Sequence, residues 1–337
     1  MAISGISGAV VLAGAATVSA APASPPSARG QDPAVHATAT TQADQQRIRQ
    51  YWTTRRMRGA TPAAKLVDDA GSSQRSAGRS ERGEPATVPP ASPASAHAGN
   101  RAGAGTTATA PEKGASWEGG GAVTRTTGKV FFTLGGQDYV CSGSAVNSDN
   151  KDVVLTAGHC VNEGPGEYAS KWMFAPGYDH GKTPYGEWTS RTLLTTQQWK
   201  NNGNISYDVG FAVMNTLNGQ HLVAAVGGQG IAFNQPRGEL MYSFGYPAAP
   251  PYDGQDLIYC AGTVHDDPTG QTNDQGMGCD MTGGSSGGPW FIDFDAATGT
   301  GLLNSVNSFV YRNDPGTMYG PYFGTEIQEV YSQAETA

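Results

Sequence analysis

The stretch Thr282–Trp290, "TGGSSGGPW", sets two adjacent serines among glycines, and the fold turns on how they are read. Both fit G-x-S-x-G. Gly283-Gly284-Ser285-Ser286-Gly287 centres on Ser285, and Gly284-Ser285-Ser286-Gly287-Gly288 centres on Ser286. Glycine and serine also form tight turns for ordinary backbone reasons, so the stretch alone does not separate a catalytic turn from a structural one. Covalent catalysis by serine needs more: a base to take the proton and a third group to orient that base.

The base is sought among histidines. His159 lies in "LTAGHC", where an apolar strand runs into a tight turn beside a cysteine that can pin it through a disulfide. His180 in "GYDHGKTPYG" and His265 in "VHDDPTG" sit in polar loops and read as solvated. The third group should be a carboxylate held where it would otherwise be costly. Asp208 in "SYDVGFAVM" heads a strand of apolar and small residues, where a buried charge needs a strong hydrogen-bond partner. Its other reading is a turn aspartate that starts a strand. The order His159, Asp208, serine argues against an α/β-hydrolase, which runs Ser, Asp, His with a helix after the serine. Here "GGPWFIDF" follows, and it reads as a strand.

The rest of the chain agrees with many short strands. It has 337 residues, 47 of them glycine, and only 15% are charged. From about Trp117, "KVFFTLGG", "DYVCSGSAVN", "DVVLTAGHC", "KWMFAPGY", "EWTSRTLLTT" and "YDVGFAVMN" read as six strands. "HLVAAV", "GELMYSFGYP", "DLIYCAGTVH", "QGMGCDM", "GPWFIDF" and "LLNSVNSFVY" form a second set, and the tail "GTEIQEVYSQAETA" reads as a helix. The expectation is an all-β fold of two antiparallel barrels or sandwiches side by side, with a short C-terminal helix. The first barrel spans about 117–220 and the second about 221–325.

Charge divides the chain differently. The formal net charge is −8, but residues 21–115 carry +5 and residues 116–337 carry −13. An acidic globular part argues against nucleic acid as a partner. Residues 21–115 are rich in Ala, Pro, Ser and Gly, and are expected to be a largely disordered pro-region. Within it, the basic "DQQRIRQYWTTRRMRGATPAAKLVDD" carries Ile48, Tyr51, Trp52 and Met57 and is a candidate short helix that docks on the acidic domain. Residues 1–20 are uncharged and end in the small residues Val18-Ser19-Ala20, the pattern of a signal peptide. They are too short and too rich in small residues for a membrane span. The four cysteines, Cys141, Cys160, Cys260 and Cys279, all lie in the acidic part. In a secreted chain they point to two disulfides, with Cys141–Cys160 and Cys260–Cys279 the preferred one of three pairings. No C-x-x-C spacing supports zinc. Asp266, Asp267 and Asp274 are candidate calcium ligands, with solvated acidic loops as the alternative.

"TAGHC", "YDVGFAV" and "GGSSGGP" together resemble the secreted trypsin/chymotrypsin-like serine peptidases, and most closely the bacterial branch that includes glutamyl endopeptidases. The likeness covers about residues 117–333. It implies two six-stranded β-barrels and a nucleophile immediately before Gly-Gly-Pro, which is Ser286. By the same resemblance the backbone N–H groups of Gly284 and Ser286 form the oxyanion hole, and Cys141–Cys160 is the disulfide beside the catalytic histidine. Ser308 belongs to the segment that pairs with substrate and lies behind the catalytic aspartate. Asp280, six residues before Ser286, stands at the base of the specificity pocket, where it selects Arg or Lys in trypsin-like relatives. Some glutamyl endopeptidases share that aspartate. Val310 stands where a glycine would leave the pocket open, and Asn307 where the glutamyl enzymes have a histidine.

Two departures follow. Ser285 replaces the aspartate that grips the new amino terminus in animal relatives, so extra residues on the mature terminus are expected to leave much of the activity. Cys279 lies seven residues before Ser286 rather than four, so the pocket wall is rebuilt. The function implied is a secreted, monomeric serine endopeptidase acting on proteins or peptides without cofactor or metal. Its own pro-region would serve as inhibitor or folding aid. A serine esterase and a non-catalytic binding protein on the same scaffold are the rival readings.

Overall fold

The tight turn Gly135–Gly136, both residues at positive φ, joins strands β1 (Thr127–Leu134) and β2 (Gln137–Val146) and fixes their register at Leu134 opposite Gln137. The computed structural model describes residues 1–2, 32–64, 82–94 and 113–337. Strands β3 (Val153–Thr156), β4 (Ser170–Pro176), β5 (Trp188–Thr195) and β6 (Gly210–Met214) complete the first set. They pair antiparallel in the order β1-β2-β3-β6-β5-β4, and β4 returns to β1, closing a six-stranded barrel.

The second half holds β7 (Gly230–Phe233), β8 (Leu240–Gly245), β9 (Ile258–Thr263), β10 (His265–Asp266), β11 (Gln275–Gly278), β12 (Pro289–Asp295), β13 (Thr300–Val306), β14 (Phe309–Tyr311) and β15 (Asp314–Gly320). One sheet runs β7-β13-β12-β8-β9 and a second runs β10-β11-β15-β14. The helix Thr325–Ala334 closes the chain, burying Ile327, Val330, Tyr331 and Ala334. Both disulfides take the sequence-local pairing, Cys141–Cys160 and Cys260–Cys279. The fold is all-β and chymotrypsin-like.

Three local readings change. "HLVAAV" holds a short helix, Leu222–Val226, not a strand. Its apolar residues are too few for periodicity to tell the two apart, and the Asp152 carboxylate fixes its start by accepting from Leu222 N–H. "LLNSVNSFVY" is broken at Asn307–Ser308 into β13 and β14. Strand β15, which contains Pro315 and Gly316, is not among the strands read from the sequence.

Every residue of β1 is buried, although a strand with one wet face would alternate. The explanation is a second apolar layer outside the barrel. Val130 and Phe132 point into the barrel core, whereas Phe131 packs with Val140, Met173 and Tyr178 against Ile48, Trp52 and Met57 of the N-terminal region before the barrel, the segment expected to be a pro-region and called the leader below. The helix Gln42–Tyr51 is N-capped by Thr41 and the helix Thr54–Gly59 by Thr53. Trp52 Nε1 donates to Lys171 O at 2.7 Å, and Tyr51 and Arg56 both bond Asp138. Leader strands also satisfy exposed sheet edges. Ala34–Ala37 pairs with β5, Thr61–Pro62 with β2, and Ala86–Val88 with β7. Where described, the leader is therefore folded beyond one short helix, because its few apolar residues and free backbone groups find partners on the domain. The expected signal peptide, past its first two residues, lies outside the described residues.

Lys129, between the two layers, is 3% exposed and donates to Gly254 O at 2.9 Å, 4.6 Å from the Tyr178 ring centre. Burial pushes its ammonium down to about 8. The unfolded chain then holds the extra proton between that value and the ordinary lysine range, so stability must rise with pH through this window. In a Ser286→Ala background, urea denaturation between pH 7.5 and 9.5 should show a gain on the order of 2 kcal/mol. Lys129→Met should flatten that slope.

Candidate active site

The strand β3 delivers the first candidate. Beyond Thr156 the chain enters a single helical turn, Gly158–Cys160, and the Cys141–Cys160 bridge fastens that turn to β2. His159 sits in the turn, wholly buried. Asp208 follows a matching turn, Ile205–Tyr207, just before β6. Its carboxylate accepts three hydrogen bonds: His159 N–H on Oδ1 at 2.7 Å, and His159 Nδ1 at 2.8 Å and the Ser308 hydroxyl at 2.6 Å on Oδ2. Gly158 is needed here, since a Cβ would stand 2.9 Å from both Asp208 Oδ1 and Trp199 Cδ1. An ionised carboxylate only accepts, so Nδ1 must carry the proton. The lone pair is thereby left on Nε2, which is buried and has no hydrogen-bond partner among the described residues.

The serine turn lies against this assembly. Ser286 O accepts from Ser142 N–H at 2.7 Å and lies 3.8 Å from Cys160 Sγ, so it touches the disulfide next to His159. Gly284 has φ +95°, a conformation suited to glycine, and its carbonyl accepts from the Ser142 hydroxyl at 2.9 Å. With that carbonyl fixed, the N–H groups of Gly284 and Ser286 donate to nothing else among the described residues. The two serines differ sharply. Ser285 Oγ is spent on Thr282 O at 2.8 Å, whereas Ser286 Oγ makes no such bond among the described residues.

Asn307 was read only as a missing histidine, yet it braces the whole turn. Its Oδ1 accepts from Ser243 Oγ and Trp290 Nε1, and its Nδ2 donates to Phe244 O and Ser285 O. Its backbone also exchanges bonds with Gly287 and Gly288. Three of these partners lie in strands and the fourth, Ser285, in the serine turn, all distant in sequence, which is why no local pattern announced it. Asp280 is half-buried and bonded to Gly114 N–H and to the Tyr252 hydroxyl, and Val310 and Tyr252 pack on one apolar cluster. Asp274 is fully buried, and burial followed by the charge of Asp208 pushes its carboxyl well above the usual range.

The candidate cation ligands are not assembled. Asp266 pairs with Arg237, while Asp267 is spent on Thr269, Thr272 and Tyr311. A grouping with metal-like spacing, Cys141, His159 and Cys160, has its sulfurs bonded to one another.

Residues 141–297 match the model of a trypsin-like peptidase domain. A protease, Anisep, from Arthrobacter nicotinovorans is 53% identical, with 63% of this chain and 96% of that chain covered and a TM-score of 0.61. The thermostable serine protease AL20, from an extremophilic microorganism, is 44% identical over 64% of this chain and 99% of that one, also with a TM-score of 0.61. A Glu endopeptidase at 18% identity shares the fold, with a TM-score of 0.53 over 66% of this chain and 97% of its own. Of curated proteins, an extracellular metalloprotease of Bacillus subtilis (strain 168) is 32% identical over 77 residues, and the match spans 24% of its length. The chain belongs to the trypsin-like serine peptidases, and the activity of that class is endopeptidase hydrolysis.

Asn307→Ala should take one partner each from Ser243 Oγ, Trp290 Nε1, Phe244 O and Ser285 O, of which Ser285 O keeps the Gly288 N–H. At about 1–3 kcal/mol for each group left unsatisfied, the loss should reach about 3 kcal/mol or more. Thermal unfolding should fall by roughly 10 °C, and a melting point within a degree or two of the parent would refute the bracing role.

Proposed function

We propose that the chain is a secreted serine endopeptidase, made as a precursor, that cleaves peptide bonds through an acyl-enzyme on Ser286. Ser286 Oγ attacks the substrate carbonyl while His159 Nε2 takes its proton. Asp208 fixes the imidazole in the tautomer that leaves Nε2 basic, and stabilises the imidazolium that forms. The N–H groups of Gly284 and Ser286 receive the developing oxyanion. His159 then returns the proton to the leaving amine, and water repeats the sequence on the ester. The observation that carries this reading is the buried, unpartnered Nε2 opposite an Asp208-bound Nδ1, beside a serine turn whose Ser285 hydroxyl is already committed.

In the precursor His159 is 0% and Ser286 3% exposed. The leader runs directly over this region. Ala63 N–H donates to Val140 O, and Pro62 and Ala64 lie on Gly283, next to the oxyanion-hole glycine. This favours the pro-region as inhibitor and docking partner, its Trp52 acting as the buried anchor. Two disulfides and an apolar leader ending in small residues fit an extracellular destination.

Casein hydrolysis before and after leader removal, with and without a serine-directed phosphonate, tests the proposal. The intact precursor should be nearly inert, and the processed form active and blocked by the phosphonate. Ser286→Ala should cost on the order of 10⁴–10⁶ in kcat, whereas Ser285→Ala keeps most turnover. A dead Ser285→Ala beside an active Ser286→Ala would reverse the assignment.

A further inference from the structure

Asp280 lies where a trypsin-like reading makes it the selector of basic side chains, but its carboxylate is already engaged. Oδ1 accepts the main-chain N–H of Gly114 at 2.8 Å and the Tyr252 hydroxyl at 2.7 Å. Burial first, and then that bond to Asp280, push the Tyr252 phenol well up, so it stays protonated and donates. Gly114 is tightly cradled: a Cβ there would collide with Tyr252 Oη and come 2.8 Å from Ile258 Cγ2. The residues after it are fixed on their own account. Ala115 and Ser116 pair with Tyr259 and Ile258 of β9, and Trp117 N–H donates to Leu257 O. The Trp117 ring stands edge-on to Phe244, Tyr259 and Phe294. Lys113, just before, is exposed. A main-chain N–H thus rests on a half-buried carboxylate at a bond where one hydrolysis would turn it into a charged amine.

We propose that Asp280 is the receptor for a new amino terminus at Gly114, made by cleavage of the Lys113–Gly114 bond, and is not a selector of basic substrate side chains. The inference rests on reading the chain as a serine endopeptidase made as a precursor. In the cleavage, carried out by a peptidase that cuts after lysine, the oxygen of water bonds to the Lys113 carbonyl carbon and the C–N bond breaks. Lys113 leaves as a carboxylate and the Gly114 nitrogen takes up both protons of the water to become an ammonium, so atoms and charge are conserved. The neutral donor becomes a charge-assisted pair, roughly twice as strong, without Gly114 having to move. Tyr252 holds the same carboxylate oxygen, and the Cys260–Cys279 bridge holds the residue before it. Asp280 is thus a positioning residue for the turn that follows. Thr282 takes the Ser285 hydroxyl and N–H, and Gly284 presents the oxyanion N–H. Tolerance of extra residues, expected because Ser285 replaces the usual aspartate, holds only if no other carboxylate grips the terminus. Asp280 supplies one.

The test starts from the full chain, processed by a lysine-specific endopeptidase. The amino terminus is read by mass spectrometry, and kcat and KM are measured on a peptide library. Four forms are compared: mature protein and a form with two residues ahead of Gly114, each with Asp280 and with Asp280→Asn. The active form should begin at Gly114. The extension should cost about tenfold or more in kcat/KM, as expected for losing a charge-assisted pair, and should cost little once Asp280→Asn has removed the receptor. The mature form should also lose activity at alkaline pH as the ammonium titrates above the ordinary α-amino range of about 8, and Asp280→Asn should lack that limb. Asp280 and Tyr252 are the titratable groups that face this nitrogen. Equal activity of extended and unextended forms, an active form with another terminus, or an Asp280→Asn variant that loses only cleavage after Arg and Lys would each overturn the inference. Casein hydrolysis that the phosphonate fails to block would instead overturn the serine mechanism beneath it.

Discussion

One solvent-excluded carboxylate ties the two halves of the molecule together. Asp208 belongs to the first barrel, yet one of its three donors, Ser308, comes from the break between β13 and β14 in the second half. A bare buried carboxylate would cost several kcal/mol, and three donors at 2.6–2.8 Å are what make its burial tolerable. The same bonds leave His159 no freedom of tautomer or rotation. The requirement propagates outward, since the glycine before the histidine must lack a side chain and the strand carrying Ser308 must break where it does.

A second buried polar group answers it from the other side. Asn307, adjacent to Ser308, uses its side-chain amide on four strand and turn partners and so fixes the serine turn to the same strand break. Two neighbouring residues therefore hold the proposed nucleophile and the proposed orienting acid in register. A shift of β13 by one residue would disturb both at once, which is how a rigid sheet sets a geometry that loops alone hold poorly.

The leader reads as a missing outer layer of the first barrel rather than a tail. Its backbone completes strand edges and its apolar side chains cover Phe131, Val140 and Met173, which would otherwise present an exposed patch. Among the described residues the ion pair between leader and domain is Arg56 with Asp138, set beside a larger buried apolar contact around Trp52 and Phe131. Removing the leader would uncover that layer and the region of Gly283 together.

The amino-acid sequence by itself determined the six strands of the first barrel, the order of the candidate triad and the C-terminal helix, and it favoured the disulfide pairing that formed. These rest on local signals: alternation, glycine turns, and motifs whose residues are neighbours in the chain. His159 and Asp208 stand out as candidates because each sits in such a motif, whereas the serine motif fits Ser285 and Ser286 alike and only the family resemblance points to Ser286. Tertiary structure alone decided the rest. The helix at Leu222–Val226, the break at Asn307–Ser308, the bracing role of Asn307 and the fold of the leader all depend on partners far away in sequence. So does the occupant of Asp280, whose partner Gly114 lies 166 residues away and carries no sequence motif to announce it. A buried polar group is defined by what satisfies it, and that choice is made only when distant strands are brought together.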